Sequence, residues 1–191
     1  MEQGIGNKGI ILACNSRSND VAENDYYATD PIAMEKLCDV FEFHKWIWEP
    51  ACGEGHLSKV LESRGYDVIS TDLIDHNFGG YETLDFLQTN EKNLKEDIVT
   101  NPPYKFANEF VKKALDSIAN DYYVVFFLKL SFVSSKGRRK FFEENPPKFI
   151  YVFSDRVECA KNGKFEGKKG VDYAWFIWQK GWHGNTTLRW L

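Results

Sequence analysis

The sequence predicts a doubly wound α/β domain whose sheet is mostly parallel, with an antiparallel strand near one edge. Three observations lead there. Short apolar runs alternate with segments of helical periodicity, the pattern of a parallel sheet covered by helices on both faces. The run at 122–128 (YYVVFFL) is apolar almost throughout, as a central strand buried on both sides requires. The last two runs, 149–153 and 173–178, have no helical pattern between them, only a basic loop, which suggests an antiparallel addition at one end of the sheet.

Each element has its own warrant. Residues 1–24 lack periodicity and read as a loose arm, leaving 25–191 as a single domain without internal repeat or linker. Asp30-Pro31 opens a helix, a capping residue followed by proline in the first turn. Ala33, Leu37, Val40 and Phe41 form its apolar stripe. Residues 46–48 (WIW) read as a buried strand that runs into a glycine-bearing turn at 49–55 (EPACGEG). A helix over 56–64 follows, with Leu57, Val60 and Leu61 inward and Gly65 as its stop. Residues 66–71 form a strand ending at Asp72, and the less regular stretch 73–96 contains a turn at Gly79-Gly80. The strand at 97–100 delivers Asn101-Pro102-Pro103-Tyr104. A helix then presents Phe106, Phe110, Val111, Ala114, Leu115 and Ile118 on one face. Residues 135–144 read as a helix that stops before Pro146-Pro147, and 161–170 as a flexible loop. Trp175 and Trp178 read as core residues of the last strand.

With 191 residues, 43% hydrophobic and 16% aromatic, the chain can bury a core without staples, and its composition argues against a largely disordered chain. No apolar run approaches the ~20 residues of a membrane span, and the N-terminus lacks a secretory pattern. Cysteines at 14, 38, 52 and 159 show no C-x-x-C pair and no His at ligand spacing. They read as reduced thiols in the cytoplasm, not as a disulfide frame or metal site. The net charge of −4 hides an asymmetry: residues 1–95 carry 8 basic and 17 acidic side chains, residues 96–191 carry 16 and 11. Such a division can place a basic face on an acidic protein.

Three segments carry the chemistry, and all fall at the carboxyl ends of strands, where ligands of such sheets sit. The 49–55 turn lets backbone approach a ligand closely. It is neither a G-x-G-x-x-G fingerprint nor a Walker loop. Asp72, at the end of the next strand, can accept hydrogen bonds from both hydroxyls of a ribose; a helix cap is its plainer role. Together they suggest a nucleoside-bearing cofactor without a pyrophosphate requirement. Asn101-Pro102-Pro103-Tyr104 is the sharpest signal. The prolines hold the preceding residues extended and remove two backbone donors. The Asn101 amide oxygen and the Pro102 carbonyl can then converge on the two hydrogens of an exocyclic amino group. Holding those hydrogens localises the nitrogen lone pair for attack on a sulfonium methyl, and Tyr104 can stack on the group presented. A second Asn-Pro-Pro, at 145–147, follows a charged helix and lacks the aromatic, so it reads as a helix stop.

Over about residues 25–180 these segments resemble the class I S-adenosylmethionine-dependent amino-methyltransferases with an Asn-Pro-Pro-Tyr motif, and among them small phage or prophage DNA adenine-N6 methyltransferases. The resemblance implies a seven-stranded, Rossmann-like sheet and S-adenosylmethionine as cofactor. By position, Glu49, Ala51, Gly53 and Gly55 match the loop around the methionine part, and Asp72 the acid on the ribose. Asp85 and Phe86 match the pair at the adenine. Thr29, in the segment Tyr27-Ala28-Thr29-Asp30-Pro31, matches a contact to the methionine end. Asn101, Pro102 and Tyr104 match the catalytic residues, and the motif order resembles the gamma arrangement. Members of that order usually carry a large recognition domain after the catalytic motif. Only 87 residues follow Tyr104, so no separate recognition domain is expected. Loops or a specificity partner would read the base context, or the substrate is not duplex DNA.

The expected substrate is nucleic acid, DNA ahead of RNA, with no membrane partner. Pro103 would touch the target. Lys136, Arg138 and Arg139, and in the loop Lys164, Lys168 and Lys169, could neutralise phosphates; a solvated surface is the alternative for both clusters. Two other functions stay open: methylation of a glutamine side-chain amide in a protein, and cofactor binding without catalysis by an interaction protein.

Overall fold

The computed structural model describes residues 27–78, 82–134, 137–161, 165 and 170–191. The expected arm at 1–24 and the Gly79-Gly80 turn lie outside these residues. In chain order the elements are β1 (Tyr27–Thr29), α1 (Pro31–Cys38), β2 (Trp46–Glu49), α2 (His56–Ser63), β3 (Asp67–Asp72), β4 (Glu82–Thr83), β5 (Asp97–Thr100), α3 (Ala107–Ser117), β6 (Tyr123–Lys129), α4 (Arg139–Glu144), β7 (Phe149–Val152), β8 (Cys159–Lys161), β9 (Tyr173–Gln179) and β10 (Thr187–Trp190). Single 3₁₀ turns occupy Phe86–Gln88, Tyr104–Phe106 and Leu130–Ser134.

The main sheet has eight strands in the order β10-β7-β9-β6-β5-β2-β3-β4. All neighbours are parallel except β9, which is antiparallel to both β6 and β7. The doubly wound sheet and its reversed strand are as expected; the strand count is one higher. The addition is β10, an edge strand whose four residues are all exposed, so it has no buried face to write an apolar pattern. A second sheet was not anticipated at all: β1 and β8 form an antiparallel ribbon with Thr29 opposite Cys159. Among the described residues of the helix expected over 135–144, Arg139–Glu144 are helical.

Local chemistry explains the helix ends. Asp30 caps α1 by accepting from the Ile32 amide, and Pro31 fills the first turn. Gly65, at φ 89°, ends α2. Asn145 ends α4, its amide nitrogen donating to the Phe141 carbonyl, which fits the helix-stop reading of the second Asn-Pro-Pro.

Strand alternation divides the core into two clusters, one on each face of the sheet. On β9, Trp175 and Ile177 face one side, with Leu37, Leu57, Leu61 and Phe127. Ala174, Phe176 and Trp178 face the other, with Phe110, Phe126 and Phe141. Each tryptophan also satisfies its N–H: Trp175 donates to the Ala33 carbonyl (2.9 Å) and Trp178 to that of Asn145 (3.0 Å). No helix among the described residues is long and apolar enough to cross a membrane.

Candidate active site

The chain leaves β2 toward β3 and β4, then returns to place β5 on the other side of β2. This switch opens a crevice beyond the carboxyl ends of β2 and β5. A cleft with about 830 Å³ of atom-free space, its open mouth included, lies there. Thr29, Glu49, Ala51, Gly53, Asp72, Asp85, Phe86, Asn101, Pro102, Pro103 and Tyr104 all line it. The sequence-predicted residues from five separate segments are thus brought together.

Glu49 ends β2 and is 1% exposed. The Ser58 hydroxyl, from the first turn of α2, donates to it and also lies 2.6 Å from the Ser70 hydroxyl. Burial outweighs that hydrogen bond and pushes the Glu49 carboxyl up to about 8. Across the cleft Asp72 accepts from the Gly53 amide (2.8 Å) and, with its other oxygen, from the Ile74 amide (3.1 Å). The Leu73 amide also hydrogen-bonds to this carboxyl, and His76 Nε2 lies 4.0 Å from Oδ1, so only part of its acceptor capacity remains for a ligand hydroxyl. Burial raises the Asp72 pKa despite these bonds. Asp85 caps the 3₁₀ turn at Phe86–Gln88 by accepting from the Leu87 amide. Phe86 packs between Trp48 and Phe110, with ring centroids 5.2 and 5.1 Å away.

Gly55 differs from its expected part. It does not line the cleft; it starts α2 in the left-handed region (φ 74°), against the Phe78 ring. A Cβ there would lie 2.4 Å from that ring. Gly55→Ala should therefore destabilise the fold by about 2–4 kcal/mol, combining left-handed strain with overpacking. A thermal melt should show a fall of roughly 5–15 °C.

Asn101 follows β5. Its Nδ2 donates to the Tyr27 carbonyl (2.9 Å) and reaches the Cys159 sulfur (3.5 Å). Its Oδ1 is buried and has no partner among the described residues. Thr29 Oγ1, also at the cleft, is buried and without a partner in the same way. Pro102 is buried, and Tyr104 opens the following 3₁₀ turn. The Tyr104 hydroxyl is 3.3 Å from Cys159 Sγ. The Lys129 ammonium lies 4.8 Å from the Tyr104 ring centroid. Burial holds the Tyr104 phenol well above its ordinary pKa, so it stays protonated.

Sequence reasoning did not single out Tyr27, Cys159 and Lys129, which reach Asn101 and Tyr104 from β1, β8 and β6. Three-residue strands carry no periodicity, so nothing in the sequence announces the ribbon. His56 starts α2 as expected but also lines the cleft, and burial lowers its pKa.

Of the expected phosphate contacts, Arg138 and Arg139 fall among the described residues. Arg138 lies 4.2 Å over the Phe132 ring and donates to the Phe132 carbonyl. Arg139 pairs with Glu143 at 2.7 Å within α4. Lys136, Lys164, Lys168 and Lys169 lie outside the described residues.

This α/β fold is shared with solved structures described as S-adenosylmethionine-dependent methyltransferases. An assigned O-methyltransferase from Agrobacterium tumefaciens superposes with a TM-score of 0.61 at 12% identity, over 84% of this chain and 85% of that one. A modification subunit assigned to a type I restriction enzyme from Vibrio vulnificus gives 0.56 at 12% identity, over 93% and 49%. A protein assigned to class I S-adenosylmethionine-dependent methyltransferases from Listeria monocytogenes gives 0.52 at 15% identity, over 83% of this chain. The match spans 62% of that Listeria protein. No family model and no curated protein matches the sequence.

Proposed function

We propose that the protein is an S-adenosylmethionine-dependent methyltransferase acting on the exocyclic N6 amino group of adenine in nucleic acid, DNA in preference to RNA. The observation that carries this reading is the buried Asn101 Oδ1 without a partner. A buried acceptor left open costs free energy unless a ligand supplies the hydrogen. Beside the Pro102 carbonyl it suits an NH₂ group.

The cleft also suits the cofactor. Asp72 keeps acceptor capacity for a ribose hydroxyl beside its backbone hydrogen bonds. Phe86, Leu87 and Phe110 offer an apolar wall beside Asp85. Thr29 Oγ1 and the buried Glu49 stand where a cationic, polar tail would satisfy them. When bound, S-adenosylmethionine supplies an electrophilic methyl on a sulfonium. Asn101 and Pro102 would hold the amino hydrogens, leaving the nitrogen lone pair free to accept the methyl as the sulfonium leaves as a thioether, and Tyr104 would flank the base plane. No residue need remove a proton before transfer, because the methylated nitrogen releases one readily afterwards. The restriction-modification neighbour and the basic second half of the chain favour nucleic acid.

The test supplies labelled-methyl S-adenosylmethionine with DNA, RNA and protein in turn, then digests the products. Label in N6-methyl-2′-deoxyadenosine is the expected result. Label confined to protein glutamine, or cofactor binding without transfer to any of the three, would overturn the proposal. Asp72→Ala should weaken cofactor binding at least tenfold, since hydrogen bonds to a carboxylate are worth about 1.5–3 kcal/mol. Calorimetry showing unchanged affinity would remove Asp72 from the site.

A further inference from the structure

An asparagine amide can face a cleft either way round, and one orientation makes the site an acceptor while the other makes it a donor. We propose that Cys159, together with the Tyr27 carbonyl, is a positioning element that locks the Asn101 amide with its oxygen toward the cleft. This rests on the reading of Asn101 as the acceptor for the target amino group.

The two Nδ2 hydrogens of Asn101 have two acceptors on the β1–β8 ribbon. One is the Tyr27 carbonyl at 2.9 Å, the other Cys159 Sγ at 3.5 Å, a workable distance for a weak sulfur acceptor. Reversing the amide would bring Oδ1 against the Tyr27 carbonyl, two acceptors with no hydrogen between them. The same sulfur lies 3.3 Å from the Tyr104 hydroxyl. One atom therefore touches both polar side chains of the catalytic segment from behind the cleft wall. The ribbon register sets Cys159 opposite Thr29, so the strand that tethers Asn101 also presents the unpartnered Thr29 hydroxyl. Burial raises the Cys159 pKa, which keeps the thiol protonated and able to bond with the phenol in either sense. Cys159 does not itself line the cleft; it acts through Asn101 and Tyr104.

Two measurements on the intact chain test this. The first records side-chain amide ¹⁵N–¹H spectra, with Asn101→Ala identifying the Asn101 pair. Cys159→Ala should shift that pair and speed its exchange with water about tenfold, the effect of losing roughly 1.4 kcal/mol. Cys159→Ser, whose hydroxyl can still accept from Nδ2, should restore slow exchange. The second measures methyl transfer. Cys159→Ala should lower kcat about tenfold with the KM for S-adenosylmethionine unchanged, and Cys159→Ser should stay within about threefold of the parent protein. An Asn101 pair indifferent to Cys159→Ala would overturn the proposal, as would equal losses in the Ala and Ser variants. If the parent protein methylates no substrate, the proposed function fails, and the amide spectra still decide the role of Cys159. If Cys159→Ala does not fold, the Ser variant alone decides: an Asn101 pair left in fast exchange there overturns the proposal.

Discussion

Asn101→Ala is expected to lower methyl transfer by at least about 100-fold while leaving S-adenosylmethionine affinity within about threefold. The magnitude follows from removing one preorganised polar group aimed at the reacting atoms in a site shielded from water. The selectivity follows from position. Asn101 follows β5, whereas Asp72 and Glu49, the residues proposed to hold the cofactor, end β3 and β2 and keep their own hydrogen bonds. Asn101→Asp should be almost as damaging, although it retains an acceptor oxygen. Its second oxygen would face the Tyr27 carbonyl, where Asn101 now donates at 2.9 Å. Initial rates with labelled cofactor, beside calorimetric titration of the same variants, separate the two quantities. Loss of cofactor binding in parallel with activity would mean that Asn101 supports the fold of the cleft and does not grip a substrate. Full activity in Asn101→Asp would show that the Tyr27 carbonyl does not constrain the amide.

The parts of this site that were legible in the sequence are those where backbone chemistry and sequence position coincide. Two prolines after a strand fix an extended exit, and the exit is where Asn101 is found. Glycines after β2 mark a turn, and Gly53 does bring its amide to Asp72 at 2.8 Å. The central strand at 122–128 announced itself because burial on both faces demands an apolar residue at every position. Gly55 shows the limit of the same reasoning. Its spacing puts it in the loop, but only packing reveals that the Phe78 ring, not a ligand, claims the space beside it. The ribbon was illegible for a different reason. β1 and β8 meet across more than a hundred residues of chain, and neither strand is long enough for alternation to appear. β10 escaped because a fully exposed edge needs no apolar face. Arg138 packs over Phe132 and Arg139 pairs with Glu143 while staying largely exposed, contacts that the sequence does not announce.

Glu49→Gln should have the largest effect on stability, and its sign depends on pH. The carboxyl has an ordinary pKa of 4.5 and is pushed up to about 8 in the folded chain, chiefly by burial, with Asp72 and Glu62 adding to it. Between those values the unfolded chain has lost the Glu49 proton while the folded chain keeps it. The folded state then binds more protons, so stability falls as pH rises from 4.5 and levels off above 8. Glutamine cannot titrate and removes that slope. The variant should therefore match the parent near pH 4.5 and exceed it at pH 8 by a few kcal/mol. Burial also raises the pKa of Asp97, which acts alike in both proteins, whereas Asp72 interacts with Glu49 and titrates with it, so the difference between the two reports the Glu49–Asp72 pair. Cofactor binding should move the other way. A cationic ligand favours the ionised carboxylate, so affinity in the parent should climb as pH approaches 8. The variant should be weaker by about tenfold at pH 8 and nearly flat with pH. Such opposition is what a group kept for a ligand, at the expense of the empty fold, should show. Urea unfolding at pH 5, 6.5 and 8 provides the first comparison and calorimetry the second. A parent-to-variant difference that does not change with pH would mean that Glu49 is already ionised in the empty chain, and the cleft would then have to hold a cation that offsets it.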